Sequence, residues 1–392
     1  MLSEKIAKNL GRSSWIRAMF EEGEKLRKIH GADKVYDFSL GNPEVEPPAA
    51  VKGKLKDIVL SGEQGIHRYM SNAGYYSVRE KVAEYFQKEK GVQMKPENIV
   101  MTCGAAGGLN VVFKTIINPG EEVIVFSPYF AEYLFYIDNH GGKPVIVPVD
   151  KDTFQPDLEL FERHLNPLTK AVLINSPNNP TGVVYNESIL ARMAEIIGKK
   201  EKEYGTQICV VADEPYDKII YDDVKLPSIP AIFKNSITIN SFSKSLALPG
   251  ERIGYIAVGS DIEDAGLLVD GLVFSNRTLG FVNAPALFQK VVAGSLEEKV
   301  DIGYYRKRRD ILYNHLVKLG FSCVKPQGAF YLFPKALIDD DVEFARRALK
   351  YNLLIVPGSG FGWPGHFRLS YCVSIEMIGN SLPAFEALAK EF

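Results

Sequence analysis

Apolar positions in the middle of the chain fall into six short runs that are rich in valine and isoleucine. Most runs are apolar on both faces, which is typical of buried strands in a mostly parallel sheet. Amphipathic stretches of helical length separate several of them, for example residues 187–203. This alternation predicts an α/β fold with helices on both faces of the sheet. The six runs span residues 98–101, 122–126, 171–174, 208–212, 236–239 and 252–258.

The pattern changes near Asn283. Long charged helical stretches follow, such as residues 296–319, with only a few strand-like segments at 329–333 and 367–371. This change predicts a second, smaller domain. An N-terminal helix over residues 14–29 and the segment 38–43 are expected to pack with it. We therefore predict a large domain over residues 46–284 and a small domain formed by residues 1–45 and 285–392.

Composition narrows the class of protein. The chain has 392 residues, 46% of them hydrophobic, and a formal net charge of −2 with scattered basic residues. Nothing in this balance indicates binding to nucleic acid. No window approaches eighteen consecutive apolar residues and the N-terminus carries charges, so a cytoplasmic protein is expected. The four cysteines and six histidines lack metal-ligand spacing, and no metal is predicted.

Small and polar side chains follow the predicted strands, where ligands gather in a parallel sheet. Residues 102–108 are small and precede a predicted helix at Leu109, so their backbone amides form either a phosphate cradle or a packing turn. The loop 176–182 carries two prolines and is expected to be rigid. The remaining candidates at this edge are Tyr129, Phe130, Asp213, Lys244 and, opening the sixth run, Arg252.

Lys244 lies between hydroxyl side chains just after the fifth run. A lysine in a partly apolar pocket titrates low and can attack a carbonyl carbon as a free amine. Most lysines beside serines are solvated surface residues, but this one shares its sheet edge with Asn179, Asp213, Tyr216 and Arg252. An amine, an acid, donors to a phenolic oxygen and a phosphate site are what pyridoxal phosphate requires.

Four motifs carry a resemblance that covers essentially the whole chain. The sequence resembles the fold-type I pyridoxal-phosphate aminotransferases of class I/II, the aspartate aminotransferase superfamily. The resemblance implies a large domain with a mostly parallel seven-stranded sheet between helices, plus a smaller α+β domain. In chain order the motifs are Asn-Asn-Pro-Thr-Gly at 178–182, Asp-Glu-Pro-Tyr at 213–216, Ser-Phe-Ser-Lys at 241–244 and Arg-Leu-Ser-Tyr at 368–371.

The resemblance also implies a role for each residue at the cofactor. Lys244 would bond to the cofactor aldehyde and later move the substrate's proton, and Asp213 would pair with the ring nitrogen. Asn179 and Tyr216 would donate hydrogen bonds to the phenolic oxygen, and Phe130 would stack on the ring. Phosphate binding would fall to Gly104, Ala105, Ala106, Ser241, Ser243 and Arg252.

A second group of residues would act on the substrate or across a subunit boundary. Arg368 is similar to the arginine that grips the substrate's α-carboxylate, and Gly41 belongs to the loop that closes over it. Tyr69 resembles a tyrosine that reaches the phosphate of the neighbouring subunit, which implies a homodimer with shared sites. The plainer alternatives are surface charges for Arg252 and Arg368 and core aromatics for Tyr69 and Phe130.

Specificity is less well defined by the sequence. Some aspartate-preferring relatives have a lysine where this chain has Ala106, which weakens an aspartate assignment. Arg277, near a position where other relatives supply an arginine from the partner subunit, is an alternative ligand for a distal carboxylate. Aromatic or large neutral substrates stay open because of Tyr129, Tyr133 and Phe330. The glycine-rich run 358–362 is expected to position Arg368, since Pro364 argues against a dinucleotide site.

We therefore predict an aminotransferase that moves an amino group from an L-amino acid to a 2-oxo acid by a ping-pong mechanism. A carbon–sulfur β-lyase on the same scaffold is the alternative, because it would use the same lysine, ring and acid. A non-catalytic regulator that binds pyridoxal phosphate is an alternative of another class, although no segment is left over for a DNA-binding module. A structural protein would have no need of the residues around Lys244.

Overall fold

The computed structural model describes residues 1–10 and 15–392, which form twelve strands and fifteen α-helices. The strands are β1 (Tyr36–Asp37), β2 (Ile99–Thr102), β3 (Glu122–Ser127), β4 (Lys143–Pro148), β5 (Thr169–Asn175), β6 (Cys209–Asp213), β7 (Ser236–Ser241), β8 (Gly254–Val258), β9 (Tyr331–Leu332), β10 (Leu353–Leu354), β11 (Val356–Pro357) and β12 (Phe367–Ser370).

The helices range from four to eighteen residues. They are α1 (Glu4–Leu10), α2 (Trp15–His30), α3 (Ala49–Leu60), α4 (Tyr76–Lys90), α5 (Gly104–Ile116), α6 (Glu132–Asn139), α7 (Leu158–His164), α8 (Glu187–Tyr204), α9 (Ile229–Ile232), α10 (Phe242–Ser245), α11 (Ala265–Thr278), α12 (Ala286–Ala293), α13 (Ile302–Lys318), α14 (Asp341–Ala348) and α15 (Ile375–Ala389). None of them, within the described ranges, is both long and apolar enough to cross a membrane.

Seven strands form one sheet in the order β2-β8-β7-β6-β5-β3-β4. All run parallel except β8, which is antiparallel to both of its neighbours. Along β3, Val123 and Val125 pack into one hydrophobic core while Ile124 and Phe126 pack into another. Both faces of the sheet are therefore buried under helices, which confirms the predicted α/β fold with a mostly parallel seven-stranded sheet.

Each of the six predicted runs overlaps a strand, and the ends of each strand lie within two residues of the prediction. The seventh strand, β4, was not predicted. It lies at the edge of the sheet, is only partly buried, and carries Pro144 and Pro148. Proline is tolerated at a sheet edge because no neighbour requires its missing N–H. The sequence of β4 therefore lacks the continuous apolar character of the central strands.

Smaller sheets lie beside the large one. β11, β12 and β9 form an antiparallel three-stranded sheet, and β1 pairs in parallel with β10. The β1–β10 pair joins the N-terminal segment to the C-terminal part of the chain. The core around these strands also takes in Tyr216 and Ala247 from the region of the large sheet. The division at residues 46–284 stays a prediction.

Two predicted helices have different bounds in the structure. The helix expected to open at Leu109 begins at Gly104, so the small residues after β2 are helical rather than a preceding turn. The stretch predicted over 296–319 becomes helical only at Ile302, where the side chain of Asp301 accepts a hydrogen bond from the amide of Gly303. α2 spans Trp15–His30, and position 14 of its predicted range lies outside the described residues.

Candidate active site

A cavity of about 330 Å³ opens where the parallel strands of the large sheet end. Its position follows from the topology, because the carboxyl ends of β3, β5, β6 and β7 meet there. Twelve residues predicted from the sequence line it: Gly41, Ala105, Ala106, Phe130, Asn179, Asp213, Tyr216, Ser241, Ser243, Lys244, Arg252 and Arg368. Eight further residues complete the wall: Leu109, Glu132, Tyr133, Tyr136, Asn175, Pro215, Pro249 and Tyr331.

Lys244 lies in α10, the single helical turn that follows β7. Its Nζ donates a hydrogen bond to the carbonyl oxygen of Gly41 (2.6 Å) and lies 5.3 Å from the centre of the Phe330 ring. Burial lowers the pKa of the Lys244 ammonium from 10.5 to about 8, with a smaller contribution from Arg368 and Arg252. An amine in this environment is uncharged far more often than one at the surface.

Asp213 ends β6 and is 5% exposed. Its Oδ2 accepts a 2.5 Å hydrogen bond from the hydroxyl of Tyr133, while Oδ1 is buried and has no hydrogen-bond partner in the part of the chain that the structure describes. Burial raises the pKa of the Asp213 carboxyl from 3.8 to about 7, against the opposing effect of the Tyr133 hydrogen bond. A buried carboxylate oxygen without a partner is costly, so the site favours a cation or an N–H donor at this place.

Arg368 lies on β12 and is 2% exposed. Its Nη1 donates to Oδ1 of Asn179 (3.1 Å) and its Nη2 donates to the carbonyl oxygen of Ser39 (2.5 Å). Among the described residues its Nε has no acceptor. The guanidinium lies between the rings of Tyr331 and Phe361, 4.7 Å from the centre of each. This arrangement holds the guanidinium plane in place and leaves donor capacity for an anion.

The loop that was predicted to position Arg368 does contact it. β11 pairs with β12, with Val356 opposite Arg368, and residues 358–361 then form a short 3₁₀ turn. This turn carries Phe361 to one face of the guanidinium. The glycine-rich run 358–362 therefore lies in the connection between β11 and β12 and is not a dinucleotide fingerprint.

Gly104 and Arg252 meet at the N-terminus of α5. Gly104 has φ +71°, and a Cβ there would lie 2.8 Å from Nη2 of Arg252, so only glycine allows this contact. Arg252 itself has φ 51° and lies two residues before β8, whereas the sequence placed it at the start of the strand. Its Nη1 donates to the carbonyl oxygen of Pro249 (3.0 Å). Arginine and unpaired amides at a helix N-terminus form an anion site.

The chain is similar in sequence and in fold to known proteins. The family model described as aminotransferase class I and II matches residues 33–385. The chain belongs to this family. A probable aspartate/prephenate aminotransferase of Aquifex aeolicus is 35% identical over 94% of each chain, and aromatic-amino-acid aminotransferase 2 of Thermococcus litoralis is 30% identical over 94% of this chain and 96% of its own length. A solved aminotransferase from Eubacterium rectale superposes with a TM-score of 0.96 at 40% identity, covering 100% of this chain and 99% of that one.

Two residues predicted for the aminotransferase site lie away from the cavity of their own chain. Tyr69 is 90% exposed. Arg277 is exposed on α11, where its guanidinium stacks over the ring of Phe274 at 5.4 Å from the ring centre. Both roles were assigned across a subunit boundary, so each requires a second chain and stays a prediction.

The aromatic residues considered for specificity take different places. Tyr133 lines the cavity and bonds to Asp213. Tyr129 does not line the cavity, because its ring packs against Gly362 of the small sheet's loop. Phe330 is fully buried beneath Lys244, where it packs against its neighbours and does not line the cavity. Of the three, only Tyr133 is therefore placed to meet a bound molecule.

Sequence reasoning missed Tyr331 and Glu132. The hydroxyl of Tyr331 lies 2.8 Å from that of Tyr216, and a Cβ on Gly41 would come within 2.1 Å of it. Gly41 is thus the residue that admits the Tyr331 phenol. Tyr331 lies on a two-residue strand, and nothing in the neighbouring sequence indicates a role in the site. Glu132 follows β3 by five residues, and the rule for strand ends could have found it.

Proposed function

We propose that this protein is a pyridoxal-phosphate-dependent aminotransferase that moves the α-amino group of an L-amino acid to a 2-oxo acid in two half-reactions. One observation carries the proposal: Lys244, with its pKa lowered to about 8, and Asp213, with one unpartnered oxygen among the described residues, line the same cavity as Arg368. The family match and the names of the relatives support the reaction type.

Pyridoxal phosphate fits the donors and acceptors that line the cavity. When bound, it would supply an aldehyde carbon for an amine and a protonated ring that draws electrons from the substrate's α-carbon. The orphaned Oδ1 of Asp213 would accept the ring N–H, which satisfies a buried carboxylate oxygen that has no partner in the described chain. Ser241, Ser243, Arg252 and the N-terminus of α5 would hold the phosphate.

Lys244 would act as the proton carrier of the reaction. With a pKa of about 8 its amine is free in a useful fraction of molecules near neutral pH, so it can take the proton from the substrate's α-carbon. The same amine would return that proton to the neighbouring carbon of the cofactor. The carbonyl oxygen of Gly41 accepts a 2.6 Å hydrogen bond from Nζ and would orient the amine for both proton transfers.

Arg368 would bind the substrate's α-carboxylate. Its guanidinium plane is fixed by the Tyr331 and Phe361 rings and by Asn179, so two parallel N–H groups can meet two carboxylate oxygens without prior reorganisation. Tyr216 and Asn179 would donate to the cofactor's phenolic oxygen, and Phe130 would lie on the ring face.

The assembly proposed for this enzyme is a homodimer with shared sites. The high exposure of Tyr69 supports a contact with a second chain, because a large aromatic ring is normally covered. Arg277 as a substrate ligand of the neighbouring site, the two-domain division and a cytoplasmic location stay predictions from the sequence. Light scattering measures the molar mass of the holoenzyme in solution, and a homodimer would have twice the mass of one chain.

The reaction is tested by giving the holoenzyme an amino acid without any 2-oxo acid. A transaminase stops after one equivalent of 2-oxo acid per site, with the amino group retained on the enzyme, and resumes when an acceptor is added. A β-lyase instead releases pyruvate and ammonia continuously from a substrate such as cystathionine. A non-catalytic regulator does neither. Continuous ammonia release, or no turnover with any donor, would overturn the proposed function.

A further inference from the structure

Glu132 is a carboxylate in the wall of the active-site cavity with no role in the steps above. It is the first residue of α6, two positions beyond Phe130, and lines the same cavity as Lys244 and Arg368. Its Oε2 is buried away from solvent, and it has no hydrogen-bond partner among residues 1–10 and 15–392. Such an acceptor is costly unless a bound molecule satisfies it.

Glu132 is not held by the cations around it. Burial raises the pKa of its carboxyl, and the opposing effects of a hydrogen bond from its own backbone amide and of Arg368 in the same cavity lower it only in part. The Arg368 guanidinium donates its hydrogen bonds to Asn179 and Ser39 instead. The carboxylate therefore faces Arg368 across the cavity without an ion pair to neutralise it.

The cavity lacks a spare cation for a second carboxylate. Within the described chain, its only lysine and arginine side chains are Lys244, Arg252 and Arg368. The proposed function assigns these three to the amine, the phosphate and the α-carboxylate. A dicarboxylate held by Arg368 would bring a second negative charge toward the negative charge of Glu132.

We propose that Glu132 determines substrate specificity by accepting a hydrogen bond from the side chain of the amino acid. The inference rests on the proposed function, whose substrate class it narrows. The preferred donors carry an amide, hydroxyl or ammonium group, and the corresponding dicarboxylates are disfavoured. A site built around a buried acceptor rejects an analogue that lacks the donor, because the acceptor is then left unpaired.

Binding of unreactive probes tests this inference apart from catalysis. Succinate and succinamate have the same size and differ only in one carboxylate or amide, and neither carries an amino group that could react. We expect calorimetry on the holoenzyme to give succinamate a Kd about tenfold or more below that of succinate. Glu132→Gln keeps the shape, removes the charge and is expected to bring the two Kd values within about threefold of each other.

Asp138 provides a matched control on the same helix. It lies outside the cavity and pairs with Lys5 at the surface, so Asp138→Asn removes the same charge from α6 without touching the site. This variant is expected to keep the wild-type ratio of the two Kd values. Equal ratios in wild type and Glu132→Gln, or a wild-type preference for succinate, would overturn the proposal.

Turnover gives the second measurement. The kcat/KM ratios of glutamine to glutamate and of asparagine to aspartate compare an amide with a carboxylate of equal size. Both ratios are expected to exceed about ten in wild type and to fall at least about fivefold in Glu132→Gln and Glu132→Ala. Each ratio is measured on one preparation, so a general loss of activity in a variant cancels. Ratios unchanged by both substitutions would contradict the role of Glu132.

Failure of the two proposals can be told apart. If no amino acid is turned over, the aminotransferase function fails, yet the Kd values for succinate and succinamate still report on Glu132. If turnover is found but the amide and carboxylate members of each pair are used equally, the aminotransferase function is supported and the inference about Glu132 is wrong.

Discussion

The hydroxyl of Tyr133 donates a 2.5 Å hydrogen bond to Oδ2 of Asp213 inside a cavity whose other face carries Lys244. This bond favours the ionised carboxylate, while burial favours the neutral acid. An ionised Asp213 is what a protonated ring nitrogen needs as its partner. If pyridoxal phosphate binds as proposed, Tyr133 is a positioning residue that would act on it through Asp213.

The variant Tyr133→Phe removes this hydrogen bond and keeps the ring. Because the pKa of Asp213 then rises further, we expect the cofactor-free variant to bind pyridoxal phosphate about tenfold more weakly than the cofactor-free wild type does. Equilibrium dialysis of the cofactor at pH 7.5 measures the change. Tyr305→Phe, which removes a buried hydroxyl that lies outside the cavity and has no hydrogen-bond partner among the described residues, serves as the comparison. Unchanged affinity in Tyr133→Phe would contradict the coupling.

Asp213 makes the cofactor-free protein sensitive to pH. Its folded-state pKa of about 7 lies above the unfolded value, so the folded state holds a proton that the unfolded state has lost. The stability contributed by the neutral acid is present at pH 5 and lost as the pH rises through 7, at a cost of about 3 kcal/mol. Relative to wild type, cofactor-free Asp213→Asn is expected to gain that amount between pH 5 and 8. Urea unfolding at the two pH values measures it, and a parallel loss in both proteins would argue against a buried, neutral Asp213.

The low pKa of Lys244 predicts the pH dependence of cofactor attachment. Only the free amine reacts with an aldehyde, so the rate should rise about tenfold per pH unit below 8 and level off above it. An ordinary lysine would give a rate that still rises at pH 10. Stopped-flow absorbance of cofactor-free protein mixed with pyridoxal phosphate from pH 6 to 10 distinguishes the two. A plateau that appears only above pH 10 would show that Lys244 is not desolvated.

Arg368→Lys keeps a positive charge but loses the paired N–H groups. Since lysine cannot bind both carboxylate oxygens in one plane, we expect kcat/KM to fall by about 100-fold for every amino acid, mostly through KM. Cofactor affinity is expected to stay within about threefold of wild type, because Arg368 is assigned to the substrate. Steady-state kinetics with alanine and glutamine provides the test. A loss of kcat/KM for only one of the two amino acids would indicate that Arg368 binds the substrate side chain and not the α-carboxylate.

Lys90 and Glu214 form a buried ion pair beside Asp213, with 8% and 1% of each residue exposed. Removing one partner leaves the other charged and uncompensated, so Lys90→Met is expected to destabilise the fold by about 3–5 kcal/mol. The double variant Lys90→Met/Glu214→Met should recover most of this loss. Denaturant unfolding of the three proteins measures both effects, and equal losses in the single and double variants would refute the pairing.

The sheet was largely predictable from the sequence because its central strands are buried on both faces. Residues such as Val123 to Phe126 must be apolar at every position, and that pattern is visible without a structure. The edge strand β4 was missed for the opposite reason. Two of its six residues are exposed, three are only partly buried, and it tolerates proline, so its sequence resembles a loop.

The site was predictable where its residues follow strands of the large sheet. Asp213 ends β6 and Lys244 follows β7 by three residues, and the parallel topology brings such positions to one edge. The position of Tyr331 and the contact of Arg368 with Ser39 depend on how distant segments pack. Arg368 and Ser39 are 329 positions apart in the chain. No local pattern encodes such a contact. Glu132 follows β3 by five residues, but nothing in its own segment shows that its Oε2 is left without a partner among the described residues.

Reduction of the holoenzyme with borohydride followed by peptide mass spectrometry tests the central claim most directly. Borohydride converts a lysine–cofactor linkage into a stable pyridoxyl adduct. The adduct is predicted on Lys244 and on no other lysine, and it should be absent from Lys244→Ala. An adduct on a different lysine, or none on Lys244 in protein saturated with pyridoxal phosphate, would contradict the proposed chemistry.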